Sequence, residues 1–230
     1  MPPDWLETIA WVSLALAAIC AALVAWDILG RGYRQPMRIM EAVWPITALY
    51  LGPLGLLAYR RWGRPKSNRY QREHGETGRR PFAVRVGVSA SHCGAGCTLG
   101  DIIATWVVFA AGLTVAGLAL PYEYLFDFTF ALALGIAFQF WSIRPMRPEL
   151  ARGEVVRRAL KADSLSLTAF EIGLFGWMAI MQLVLFTDPH LPPDTASYWF
   201  LMQVGMALGF LTTYPVNIWL IRRGIKEAMS

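Results

Sequence analysis

At 230 residues the chain has the length of one domain, but 56% of it is apolar, only 16% is charged and the mean hydropathy is +0.41, against about 25% charged in soluble domains. The net charge of +5 does not mark a nucleic-acid binder, because the basic residues gather between and after hydrophobic runs, as topology signals do. Cys20, Cys93 and Cys97 are too few for a disulfide framework. Asp4 and Glu7, with no Lys or Arg ahead of the first apolar run, are unlike a cleavable signal peptide.

A helix needs roughly 20 apolar residues to cross a hydrocarbon core about 30 Å thick. Six segments meet that length in chain order: Trp5 to Leu29, Ile39 to Tyr59, Cys97 to Leu120, Tyr124 to Ile143, Leu165 to Phe186 and Tyr198 to Ile221. Backbone groups in lipid must be satisfied within the segment, so each is expected to be helical. Pro45 and Pro53 are expected to bend the second, and Pro215 to kink the sixth. The fold class is therefore all-α, a single polytopic transmembrane bundle of about six helices.

Eighteen of the 21 Lys and Arg lie in Arg60 to Arg85, Arg144 to Lys161 and Arg222 to Lys226. With six crossings these fall on one side, which the positive-inside rule makes cytoplasmic. The protein is then expected in the cell inner (plasma) membrane with both termini and the basic loop 60–86 cytoplasmic. Arg31, Arg34 and Arg38 are left on the other side, against the rule. The Arg60 to Arg85 loop suits anionic lipid head groups, at about 1 kcal/mol per basic residue near the surface.

The sharpest local pattern is Ser89-Ala-Ser-His92-Cys93-Gly94-Ala-Gly96-Cys97-Thr98-Leu-Gly100-Asp101, read as the start of the third helix. On a helix Ser89, Cys93, Cys97 and Asp101 step by four along one face, with His92 beside it. The glycines either admit a neighbouring backbone or break the helix. Two thiols and an imidazole within six residues suit Cu(I), with Zn(II) as second choice, and Asp101 as a harder ligand or an orienting partner. Met202 and Met206, one turn apart in the sixth segment, are candidate thioether ligands if they converge on the thiols; otherwise they, Met178 and Met181 are core filler. Glu41, Glu171, Gln203 and Asn217 are polar groups inside predicted spans, where an ionisable side chain costs at least about 2.5 kcal/mol and normally has a partner. Glu171 is expected to face the sixth helix, either protonated or hydrogen-bonded to an amide such as Gln203 or Asn217. His74 and His190 are expected to be solvated.

The stretches VWPITALYLGPLGLLAY, HCGAGCTLGDII, FQFWSIRPMR, KADSLSLTAFEIGLFGWM and YWFLMQVGMALGFLTTYPVNIWL resemble an uncharacterised family of bacterial integral membrane proteins known only as a domain of unknown function. The resemblance covers most of the chain from Arg34 onward. It implies a multi-helix membrane protein, and some relatives joined to cupredoxin-like domains point to copper. It implies no settled activity.

Three readings follow. The first is a membrane protein that binds or moves Cu(I) through His92, Cys93, Cys97 and Asp101, with Met202 and Met206 as a relay. The second is a membrane thiol-disulfide oxidoreductase using Cys93 and Cys97. The third is a transporter, proton-coupled through Glu171, or a scaffold, in which the motif only packs helices. Expected partners are the bilayer, a metal ion, and a second copy or a cupredoxin-like protein, with no nucleic acid. Hydrolase and phosphate-binding motifs are absent from the sequence, which favours a non-enzyme.

Overall fold

The computed structural model describes residues 2–146 and 148–226. Arg147, one of the basic residues of the 144–161 connection, lies outside them, as do Met1 and 227–230. Among the described residues the structure is helical throughout, with no strand. The helices are α1 (Asp4–Leu29), α2 (Met40–Leu51), α3 (Pro53–Ala58), α4 (Asn68–His74), α5 (Phe82–Ala111), α6 (Leu120–Met146), α7 (Arg152–Ile180) and α8 (Ala196–Arg222). Single π turns extend α3 through Tyr59–Gly63 and α7 through Met181–Leu185. Five of these helices are long and apolar enough to cross a membrane: α1, α5, α6, α7 with its π turn, and α8. Trp5, Trp11, Val12, Ile19, Trp26 and Leu29 of α1 are exposed. Such an apolar exterior suits lipid rather than water.

The second predicted span is the main departure. The Ile39 to Tyr59 stretch does not form one helix, because Gly52 takes φ 53°, ψ −127° and Pro53 starts a new helix. A left-handed glycine followed by a proline reverses the chain where neither residue can continue α2. The two halves then run back along each other. A Cβ on Gly55 would sit 2.8 Å from Ala48 Cα, and one on Gly63 would sit 2.7 Å from the Trp44 ring. Twelve residues of α2 rise about 18 Å, so the pair enters the bundle partway and leaves on the side it entered. One side of its tip packs on α8, with Gln203 Nε2 donating to Leu49 O at 2.7 Å, while Pro53 and Leu54 at the turn are exposed. Its base is held where Asp27, at the end of α1, accepts from Tyr59 Oη at 2.9 Å and pairs with Arg31 at 2.9 Å and Arg64 at 3.5 Å.

This re-entrant hairpin changes the topology. Glu7 near the start of α1 accepts from Ser197 at the start of α8, and Tyr214 near the end of α8 donates to Ala83 O at the start of α5, at 3.0 Å. With α2–α3 turning back, five helices remain that are long and apolar enough to cross, and Asp4 and Arg222 lie at opposite ends of the bundle. All 21 Lys and Arg occur in 31–38, 60–85, 144–161 and 222–226, and the described residues of these segments gather at one end, here the basic face. The acidic face receives Asp4, Glu7, Asp188 and Asp194. Arg31, Arg34 and Arg38 thus cease to be exceptions.

Candidate functional site

The Cys/His/Asp motif lies in the middle of α5, not at its start, since the helix begins at Phe82 rather than Cys97. The glycines admit neighbours and leave the helix unbroken. A Cβ on Gly94 would meet Tyr50 Oη at 2.9 Å, one on Gly96 would meet Gly135 Cα at 3.3 Å, and one on Gly100 would meet Ala131 N at 2.5 Å. This close crossing carries Cys93, Cys97 and Asp101, all buried, into the bundle centre.

Four carboxylates meet there. Glu123 and Asp127 are one turn apart on α6, Asp101 comes from α5 and Glu171 from α7, and none is more than 2% exposed. Asp101 lies within electrostatic range of Glu171 and Asp127, and Asp127 within range of Glu171 and Glu123. Glu123 accepts from Tyr198 Oη at 3.3 Å. Both oxygens of Asp101, Asp127 and Glu171 lack a hydrogen-bond partner of ordinary geometry. Glu171 adjoins the Cys97 thiol, which adjoins Cys93. Tyr50 at the hairpin tip faces both thiols.

A second polar layer lies towards the basic face. His92 Nε2 bonds Ser142 Oγ at 3.2 Å, and its ring packs edge-on to Phe138. Asp163 of α7 accepts from Gln139 Nε2 at 3.4 Å. Ser166 accepts from Asn217 Nδ2 at 2.8 Å and bonds Thr213 at 3.2 Å. Eight residues of α7, about 12 Å, separate Asp163 from Glu171, and the fully buried Leu167 and Phe170 lie between them.

The expected ligand set is therefore divided. His92 bonds α6, whereas Cys93 and Cys97 face Glu171 and Tyr50. Met202 and Met206 belong to the same apolar core as the thiols, beside Met178 and Met181. Among the described residues no group of three or more His, Cys, Asp or Glu side chains is arranged to hold a metal ion.

The other intramembrane groups also differ from expectation. Glu41 pairs with Arg34 at 2.7 Å at the base of the hairpin. Gln203 bonds Leu49 O and Ser13, and Asn217 bonds Ser166 and Thr213. Neither amide reaches Glu171, which is buried as expected but turns towards Cys97. His74 is exposed and stacks on Tyr70. His190 is not simply solvated, since its Nδ1 lies 3.1 Å from Gln182 O and 3.0 Å from Phe186 O at the end of the α7 π turn. Sequence reasoning passed over Glu123, Asp127, Asp163 and Lys226. Asp127 lay inside the predicted 124–143 span, and an ionisable residue within an apolar run was the available signal.

Fold and site together define a multi-pass helical membrane protein with a cluster of carboxylates inside its bundle. The chain belongs to the family described as a domain of unknown function (DUF4396), which matches residues 84–226 and so contains the four clustered carboxylates, both thiols and His92. No curated protein and no solved structure matches the chain.

Proposed function

We propose that this protein passes a cation across the membrane along Glu123, Asp127, Asp101 and Glu171, with the proton as its cargo. The observation that carries the reading is a set of three buried carboxylates, on three helices, whose six oxygens have no hydrogen-bond partner beyond the Cys97 thiol beside Glu171. Removing a carboxylate from water costs several kcal/mol, so each needs a proton or a cation beside it. A file of such groups inside a bundle is a means of moving one. The localisation proposed with it is the inner membrane with the basic face cytoplasmic, which puts the C-terminus inside and the N-terminus outside.

Passage of Cu(I) is the second reading, as cargo rather than as a resident cofactor. It is favoured by the adjacent thiols of Cys93 and Cys97 beside Glu171. The oxidoreductase reading is weaker, because both thiols are buried at mid-helix, out of reach of a redox partner at either face.

The test is reconstitution into potassium-loaded vesicles with valinomycin and a pH dye inside. Wild type is expected to acidify the lumen faster than protein-free vesicles, and Glu171→Gln and Asp101→Asn to lower that rate at least about tenfold while melting normally. Cu(I) uptake abolished by Cys93→Ser, without proton flux, would transfer the assignment to copper. Wild-type vesicles that pass neither ion faster than empty ones would refute both.

A further inference from the structure

The C-terminal end of α8 does something unusual with a basic residue. After Arg222, Gly224 turns the chain at φ 68°, and the amides of Ile225 and Lys226 bond Leu220 O at 3.0 and 3.3 Å. A lysine at the end of a membrane helix normally extends its ammonium to water. This hook sends Lys226 inward instead, and its side chain is only 2% exposed. The ammonium lies 3.4 Å from Asp163 Oδ1 and 3.2 Å from Ser166 Oγ. Both distances are long beside the roughly 2.7–2.9 Å of a charge-assisted bond, so the ammonium is loosely held. The surroundings are only half satisfied: Asp163 Oδ2, Asn217 Oδ1 and His92 Nδ1 are buried without partners. Gly135 leaves the space, since a Cβ there would sit 2.6 Å from Asp163 Oδ2.

We propose that Asp163, Ser166 and Asn217 form a cation site at the basic-face end of the bundle, filled in the resting protein by the tethered ammonium of Lys226. The site takes a small monovalent cation of ammonium size, and a cation moving between the carboxylates and the basic face displaces Lys226 from it. The displacement step rests on the function proposed above, but the site itself does not.

The test uses full-length protein in lipid nanodiscs. Lys226→Ala vacates the site, and its melting temperature is followed while methylammonium chloride is titrated against choline chloride at equal ionic strength. A ligand that binds only the folded state raises stability in a saturable way. Lys226→Ala is expected to melt below wild type and to recover at least half of the loss with methylammonium but not with the bulkier choline. Asp163→Asn/Lys226→Ala is expected to show no such recovery. Equal responses of Lys226→Ala to the two salts would overturn the proposal, and so would an undiminished methylammonium response in the double variant. Should Lys226→Ala fail to fold, Lys226→Gln takes its place in the same titration, because it retains a shorter, neutral side chain. Vesicle flux separates the two ideas. Rescue without any cation flux keeps the site and removes the path, whereas flux without rescue does the reverse.

Discussion

Gly100 tests whether the α5–α6 crossing sets the carboxylate geometry. A methyl group there would sit 2.5 Å from Ala131 N, 2.7 Å from Ala131 Cα and 2.9 Å from Phe130 C. All three are backbone atoms, so no rotamer change relieves the contact, and α6 has to move by about 1 Å to restore ordinary packing near 3.5–4.0 Å. Overpacking of this kind costs about 1–3 kcal/mol. Gly87 on the same helix is the control, since its Cβ would meet only Tyr214 at 3.9 Å. There the gain in helix propensity, up to about 1 kcal/mol, is unopposed. Thermal unfolding of the purified protein should therefore place Gly100→Ala roughly 2–12 °C below wild type, with Gly87→Ala at or above it. Proton flux should fall as well in Gly100→Ala, because Asp101 and Asp127 ride on the two displaced helices. Equal melting temperatures for the two alanine variants would refute the close crossing.

Glu171→Leu should melt near the wild-type temperature while abolishing flux, because it gives up only a weak contact with the Cys97 thiol and breaks no bond to an amide. Unmade bonds of this kind cost about 1–3 kcal/mol each, so a large loss of stability would reveal a partner for Glu171. Gln203→Leu deprives Leu49 O of its donor at the hairpin tip. It should destabilise the protein by about 1–3 kcal/mol and speed hydrogen exchange in α2 and α3, and unchanged exchange there would contradict the docking of the hairpin on α8. In intact cells an impermeant thiol reagent should label Thr187→Cys and spare Glu76→Cys, and an N-terminal epitope should be reachable from outside. An epitope detected only after permeabilisation would restore an even number of crossings.

The long crossings were legible because a run of about 20 apolar residues has no other stable form in lipid. The Ile39 to Tyr59 stretch satisfies that length too, and hydropathy does not tell a crossing from a hairpin. What decides it is Gly52 at positive φ with Pro53 behind it, together with the contact of Gly55 on Ala48. A clue lay in the charges, since a six-helix reading left Arg31, Arg34 and Arg38 on the wrong side and five crossings leave none. The Cys/His motif was recognisable as a locus, but helix spacing alone does not fix which way His92 turns. Its bond to Ser142, fifty residues away, is a tertiary fact. Glu171 was legible as a costly residue and its neighbours were not, because Asp101 and Asp127 reach it only through the packing of α5, α6 and α7.

The re-entrant hairpin also limits how the protein can work. Five spanning helices do not divide into two equal inverted halves, so the proposed cation path cannot open by the mirror exchange of halves used in transporters built from inverted repeats. The two ends of the bundle are closed by unlike parts, Glu123 with Tyr198 at the acidic face and Asp163 with Lys226 at the basic face. On the proposed path each end is therefore a separate barrier, set by different bonds, and a single substitution would loosen one while leaving its counterpart unchanged.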